Sequence, residues 1–202
     1  MPPSITPQSF SVPLHVELPE WVATIVQPGL CLPDDPSRMA LAIQLSALQV
    51  SHGSGGPFGA LVCNLLSGEV VAAGVNRVVP HNASIAHAEV LAWSGAQRHF
   101  ATYDLGAKAL PPLGLYTSAQ PCIACWGGLF WTGLKKLVCG ASKHDVERLT
   151  GFKEGPVPDN WIALLEQAGM TVINGMGREE ACKVLQRYAE VGEIYNPGGE
   201  PN

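Results

Sequence analysis

The chain has 202 residues, of which 47% are hydrophobic and 14% charged, and 17 acidic against 12 basic side chains give a formal net charge of −5. This composition excludes a disordered chain and predicts one globular domain with terminal extensions. Because Lys and Arg contacts to phosphate dominate nucleic-acid affinity, an acidic chain without a basic cluster favours an uncharged small-molecule substrate over nucleic acid.

The sequence also bears on the cellular compartment. No apolar run approaches the roughly 18–20 residues that a membrane span requires, and the first 20 residues lack the basic and apolar regions of a signal peptide. We therefore expect a cytoplasmic protein that does not contact a membrane. In that compartment the close pair Cys122 and Cys125 indicates a metal or catalysis rather than a disulfide.

The first third of the chain predicts an irregular arm, a helix and a hairpin. Residues 1–35 are rich in proline but also carry aliphatic and aromatic side chains, which is typical of an ordered, irregular N-terminal arm. A helix is predicted from Asp35, an N-cap followed by proline, to about residue 53. A glycine-rich loop then leads into two strands, 58–65 and 70–79.

The rest of the chain alternates helices with strands, which predicts an α/β protein. The predicted elements are, in chain order, a helix at about 86–99, a strand at 114–119, a helix that begins at Pro121, a strand at 135–142, an irregular segment marked by Gly and Pro, a helix at 159–168, a strand at 171–176 and a helix at about 178–191.

Two short motifs, each at the start of a predicted helix, carry the chemistry. One is His87-Ala88-Glu89, and the other is PCIAC, with Cys122 and Cys125 three residues apart. This spacing places both sulfurs on one face of the first helical turn, where the helix dipole favours thiolates. With a nitrogen from His87, three protein ligands leave the fourth tetrahedral position of a zinc ion to water, which is typical of a catalytic site.

Glu89 lies two residues after His87, so it can reach the same cavity without binding the metal. Zinc lowers the pKa of its water towards ~7, and a nearby carboxylate can take up a proton and return it to a ring nitrogen and then to leaving ammonia. Together the motifs match the H-x-E…P-C-x-x-C signature of zinc deaminases. Taken separately, the cysteine pair also fits a structural zinc half-site or a redox pair, and His-Ala-Glu also fits an ordinary helix start.

On these motifs the chain resembles the cytidine/deoxycytidylate deaminase-like superfamily across roughly residues 36–155. The resemblance implies a three-layer αβα sandwich with a mixed five-stranded sheet. It also implies one catalytic zinc ion per chain, held by His87, Cys122 and Cys125, with Glu89 as general acid and base. Residues 156–202 then form a C-terminal helical extension that can serve as an active-site lid.

A finer resemblance, to the guanine deaminase branch, is carried by GGPFGA at 55–60, by Asn76, by SAQPCIAC and by the run 145–152. It implies hydrolytic deamination of guanine to xanthine and ammonia, with aminotriazines such as ammeline as further substrates. It assigns purine contacts to Asn76 and Phe58. It assigns the amidine edge to Asp145 or Glu147, of which we predict the first to bind substrate and the second to act in catalysis.

The same branch implies two further features, a pocket cap and a homodimer. Tyr195 is predicted to cap the pocket, and Phe130 and Trp131 to lie in the dimer interface or in the core. Gln120 stands where the family usually has glutamate, and we expect this difference to tune the site rather than to abolish it.

Simpler roles remain open for several of these residues, and so do other functions. Asn76 can end a strand, Phe58 can belong to the core, Asp145 can cap a short helix, and Tyr195 can lie in a docked terminal peptide. The alternative functions are a cytidine, deoxycytidylate or tRNA-adenosine deaminase and, in another class, a non-catalytic zinc-binding module.

Overall fold

The computed structural model describes residues 15–196 and residue 198. The predictions made for residues 1–14 of the N-terminal arm, and for the tail beyond 196 apart from 198, lie outside the described residues. Within the described part the elements are α1 (Glu20–Ile25), α2 (Asp35–Ser51), β1 (Gly59–Asn64), β2 (Val70–Val75), α3 (Val78–His81), α4 (Ala88–His99), β3 (Leu113–Ala119), α5 (Ile123–Leu129), β4 (Lys136–Ala141), α6 (Lys143–Thr150), α7 (Trp161–Gln167), β5 (Thr171–Asn174) and α8 (Arg178–Val191).

The strands form one sheet in the order β2-β1-β3-β4-β5. Strand β1 is antiparallel to both β2 and β3, whereas β3, β4 and β5 are parallel to one another. Helices α2 and α8 pack on one face of this sheet and α4, α5 and α7 on the other. The predicted three-layer αβα sandwich with a mixed five-stranded sheet is therefore confirmed.

Helix α4 packs very closely on β2, and this contact sets the position of its first turn. A Cβ atom at Gly74 of β2 would overlap the carbonyl oxygen of Ala88. Only glycine allows this approach, which brings the start of α4 down onto the sheet. None of the helices in the part of the chain that the structure describes is long and apolar enough to span a membrane.

Three helices differ from the predicted elements. Helix α1 lies in the arm predicted to be irregular, and α3 replaces the end of the second strand, which stops at Val75. Helix α6 occupies part of the segment predicted to be irregular after β4, because Ser142 and Asp145 form a reciprocal capping box at its first turn. The predicted division into arm, deaminase domain and extension stays a prediction; β5 and α8 belong to the sheet and to one of its helical layers.

Candidate active site

Two helix N-termini meet at the candidate metal site. His87 is the N-cap of α4 and Cys122 is the N-cap of α5, with Cys125 in the first turn of α5. The Nδ1 atom of His87 lies 3.5 Å from Sγ of Cys122 and 3.4 Å from Sγ of Cys125. The three ligand atoms all lie within 4.8 Å of one another.

This spacing fits a tetrahedral zinc ion. With Zn–S bonds of about 2.3 Å and Zn–N bonds of about 2.0 Å, tetrahedral angles place nitrogen and sulfur ligands about 3.5 Å apart. The His87–Cys122 and His87–Cys125 distances agree with that value. One nitrogen and two sulfur donors, converging at two helix ends, are also a ligand set that zinc prefers.

The two cysteines differ in their readiness to lose a proton. The hydrogen bond from the Cys125 thiol, followed by the contact with His87, lowers the pKa of Cys122 to about 4. The same hydrogen bond and burial raise the pKa of Cys125 well above its usual value. Burial alone would lower the pKa of His87, but the contact with Cys122 raises it to about 9, so a cation that binds here displaces protons from Cys125 and His87.

Glu89 lies beside the ligands in the first turn of α4. Its side chain is only 7% exposed. Burial, and then the nearby charge of Cys122, raise its pKa to about 7. A carboxyl group with a pKa near neutrality can both accept and donate a proton at physiological pH.

A cavity of about 240 Å³ opens onto the metal site and Glu89. Its walls combine aromatic rings, polar side chains and a second acidic residue. They are formed by Phe58, Asn76, Val78, Ser84, His87, Glu89, Gln120, Cys122, Ile123, Ala124, Phe152, Lys153, Glu154, Gly155, Tyr195 and Asn196.

Three of the predicted substrate-binding residues line this cavity. Asn76 is buried at the end of β2, and its Oδ1 accepts a hydrogen bond of 2.9 Å from the Tyr195 hydroxyl. Phe58 lies with its ring centroid 5.7 Å from that of Phe152, which in turn makes an edge contact with Tyr195. The C-terminal segment thus lies against the cavity through Tyr195.

Asp145 and Glu147 do not line the cavity. The Asp145 carboxylate is 1% exposed, accepts hydrogen bonds from Ser142 and forms a two-bond ion pair with Arg178 at 2.6 and 2.7 Å. Glu147 accepts a hydrogen bond from Lys143 at 2.7 Å and a longer one from the backbone nitrogen of Glu154. These placements argue against the predicted substrate contact of Asp145, whose oxygens already have partners, and place Glu147 behind the cavity wall.

Replacing Asp145 with alanine is expected to lower the free energy of unfolding by about 1.5–3 kcal/mol, the usual value of a hydrogen bond to a charged group, because it removes the carboxylate that accepts from Ser142 and Arg178. The substitution should change kcat little. Arg178, followed by Ser142, holds the pKa of Asp145 well below its usual range. A depressed pKa stabilises the fold at neutral pH, and this contribution declines below about pH 4, where the unfolded carboxyl becomes protonated. Urea denaturation of both proteins at pH 7 and at a series of values from about pH 5 down to about pH 2.5 measures the difference and its decline.

The control for Asp145 is Glu179→Ala, which breaks an exposed ion pair with Lys183 on α8. Exposed pairs contribute little, so this variant should unfold like the wild type. If Asp145→Ala were as stable as the wild type but had lost its affinity for substrate, the structural role would be wrong.

Glu154 is an acidic cavity residue that the sequence analysis missed. Its side chain is 9% exposed, and burial, followed by the charges of Cys122 and Glu89, raises its pKa to about 8. Its carbonyl oxygen accepts a hydrogen bond of 2.9 Å from the Ile123 backbone nitrogen, at the start of α5. The signal available in the sequence was a third acidic residue of the same segment, followed directly by Gly-Pro.

Gln120 lies at the end of β3 and lines the cavity. Its Oε1 accepts a hydrogen bond of 2.9 Å from the backbone nitrogen of Lys143, at the start of α6. An uncharged amide therefore links the cavity wall to the start of α6 without adding a negative charge beside Glu89 and Glu154.

Comparisons with known proteins agree with this site. A guanine deaminase structure from Nitrosomonas europaea is 42% identical, with a TM-score of 0.83, and the match covers 88% of this chain and 96% of that one. The structure of NE0047 in complex with 2,6-diaminopurine is 43% identical, with a TM-score of 0.84, over 90% and 96% of the two chains. The guanine deaminase of Bacillus subtilis is 37% identical over 113 residues, which are 56% of this chain and 67% of that protein.

The family model matches the part of the chain that holds all three metal ligands. The match runs over residues 33–141, from the start of α2 to the end of β4. It includes His87, Glu89, Cys122 and Cys125 in the order and spacing described above. The chain therefore belongs to the family of the cytidine and deoxycytidylate deaminase zinc-binding region.

Proposed function

We propose that this chain is a zinc-dependent guanine deaminase, which hydrolyses guanine to xanthine and ammonia and also accepts aminotriazines such as ammeline. The main support is the cavity, which places Glu89 and the metal ligands beside Asn76, Phe58 and Tyr195. Similarity to a guanine deaminase over 88% of the chain, well beyond the zinc-binding region, supports the same substrate.

The reaction replaces the amino group on the amidine carbon of the ring with oxygen from water. When bound, zinc supplies a Lewis acid that lowers the pKa of a water molecule. Glu89 accepts a proton from the attacking water and returns it to the neighbouring ring nitrogen. The bond from carbon to the amino nitrogen then breaks, and a second proton, from the same water, completes ammonia.

Glu154 is suited to assist the departure of the amino group. With a pKa of about 8 its carboxyl group is largely protonated at neutral pH, so it can donate its proton to the leaving nitrogen and take up the second proton of the attacking water in exchange. Two buried carboxyl groups in one cavity thus share the proton transfers, with Glu89 beside the metal ligands. In this mechanism Glu154 takes the part that the sequence analysis gave to Glu147.

The other walls hold the ring. Phe58 and Phe152 offer apolar surface to a planar heterocycle, and Asn76 offers an amide at the end of β2. Tyr195 closes the same cavity, which limits the access of water and strengthens the electrostatic contacts within it.

The test is ammonia release by the zinc-loaded protein with guanine, ammeline, cytosine, cytidine, adenine and a tRNA in parallel. We expect turnover of guanine and weaker turnover of ammeline. Turnover of cytidine or of tRNA adenosine without turnover of guanine would contradict guanine as the substrate but remain consistent with the zinc-dependent mechanism. Zinc binding without turnover of any of these substrates would favour the non-catalytic module.

We also propose that the protein acts as a cytoplasmic homodimer. Phe130 and Trp131 follow α5, and Trp131 is 83% exposed, so the pair offers an apolar surface to a second copy. A site with two reduced cysteines suits a reducing compartment. Sedimentation of the wild type and of Trp131→Ala measures the assembly.

A further inference from the structure

The C-terminal segment reaches Asn76 through a single hydroxyl group. The Tyr195 hydroxyl lies 2.9 Å from Oδ1 of Asn76, although the two residues are separated by 119 positions in the sequence. Tyr195 therefore contacts a cavity residue from the first half of the chain and also lines the cavity itself.

The contacts of Asn76 settle which way its amide points. The backbone N–H of Val78 lies 3.3 Å from Oδ1, and a backbone N–H can only donate. This atom is therefore the oxygen, and the Tyr195 hydroxyl donates to it as well. Two donors meet the two lone pairs of the oxygen, and the NH2 group is left for another partner.

That NH2 group has no hydrogen-bond partner among the described residues, in which every fully buried side-chain nitrogen or oxygen has one. The Asn76 Nδ2 is therefore not fully buried. Because Asn76 lines the cavity, its NH2 group is available to a ligand there.

The main chain of Asn76 is already fixed, which leaves rotation of the amide as its remaining freedom. Its carbonyl oxygen accepts a hydrogen bond of 2.5 Å from Gln49, and its N–H donates to the carbonyl of Phe58 at 3.1 Å. A Cβ atom at Gly56 would lie 2.9 Å from the Tyr195 oxygen and 3.3 Å from the Asn76 amide. Because Gly56 has no side chain, the Tyr195 hydroxyl and the Asn76 amide can approach closely enough to form their hydrogen bond.

We propose that Tyr195 is a positioning residue, which holds the Asn76 amide with its NH2 group towards the ring and so selects rings that present a hydrogen-bond acceptor on that edge. This inference rests on the proposed function and adds an orientation to it, with the amidine edge of guanine at Glu89 and the edge with the carbonyl oxygen at Asn76. In a ring with an amino group in place of that oxygen, the ring amino group and the Asn76 NH2 group both donate and cannot pair. Leaving a buried donor without a partner weakens binding.

Guanine and 2,6-diaminopurine form a suitable pair of probes, because the first has a carbonyl and the second an amino group at position 6. Binding is measured calorimetrically in the Glu89→Gln background, in which turnover is slowed by about 10²- to 10⁴-fold. We expect Tyr195→Phe to weaken guanine binding about three- to tenfold, the usual effect of one lost hydrogen bond, and to change the affinity for 2,6-diaminopurine much less. The dissociation constant for 2,6-diaminopurine divided by that for guanine should therefore fall by about threefold or more.

The matched control is Tyr188→Phe. The Tyr188 hydroxyl donates to the carbonyl of Glu193 at 2.5 Å, so it anchors the same segment without contacting Asn76. If Tyr195 only holds the segment closed, both substitutions should weaken both purines alike. If Tyr195 positions the amide, only Tyr195→Phe changes the ratio.

A double-mutant cycle with Asn76→Ala completes the test. Because Tyr195 is proposed to act through Asn76, Tyr195→Phe should have no further effect on guanine binding once the amide is gone. An unchanged purine ratio, or additive effects in the cycle, would overturn the inference. Guanine turnover by the wild type reports separately on the proposed function.

Discussion

Glu89→Gln is expected to lower kcat for guanine by about 10²- to 10⁴-fold, the range attributed to a positioned general acid–base group. The amide has nearly the same shape as the carboxyl but cannot accept a proton from water at neutral pH. Glu89 lies in the first turn of α4, outside the set of three ligands, so zinc content should be unchanged. Steady-state ammonia release and metal analysis of the same preparations measure the two quantities.

The same substitution at Glu147 compares the two acidic residues that the sequence analysis considered catalytic. Glu147 bonds to Lys143 behind the cavity wall, so Glu147→Gln should cost far less activity than Glu89→Gln. A loss at Glu147 as large as that at Glu89, with zinc retained by both variants, would mean that the wall opens to bring Glu147 to the substrate. If Glu89→Gln lost its zinc, Glu89 would be a metal ligand rather than a proton carrier.

The zinc site could be predicted because its geometry is local. Each motif spans at most five residues at the start of one helix, and helical spacing alone brings Cys122 and Cys125 together. The only long-range step is the meeting of the first turns of α4 and α5. The resemblance of the motifs to a known family supplied that step before the fold was described.

The position of Glu154 in the cavity wall could not be predicted in the same way. Three acidic residues, Asp145, Glu147 and Glu154, follow β4 within 13 positions, and the conformation of the segment decides which one reaches the cavity. The capping box of Ser142 forms helix α6, which turns Asp145 towards Arg178 and leaves Glu154 beyond the helix, against the start of α5. With this segment predicted as irregular, the side chains at 145 and 147 could not be oriented.

The contact between Asn76 and Tyr195 is a second feature that could not be predicted from the sequence. The predicted strand continued to residue 79, since Val78 and Val79 favour β structure, but pairing with β1 ends at Val75 and α3 begins at Val78. That turn points Asn76 into the cavity. The bond from Tyr195 joins residues 119 positions apart, and no spacing rule along the chain relates them.

Cys122→Ala is expected to reduce bound zinc from about one ion per chain to a small fraction of that, and to lower kcat for guanine by more than about 10³-fold. Removing one of three protein ligands leaves a nitrogen and a single sulfur, too few to hold the ion tightly. Loss of the ion also removes the Lewis acid that activates water. Metal analysis after dialysis measures the first effect, and ammonia release the second.

Cys182→Ala is the matched control, because Cys182 is half-buried on α8, on the opposite face of the sheet from α4 and α5. It should keep both zinc and activity. Since binding displaces the Cys125 proton, the zinc affinity of the wild type should also fall as the pH decreases. Full zinc occupancy in Cys122→Ala would place the metal elsewhere, and the two helix N-termini would then no longer explain how the chain activates water.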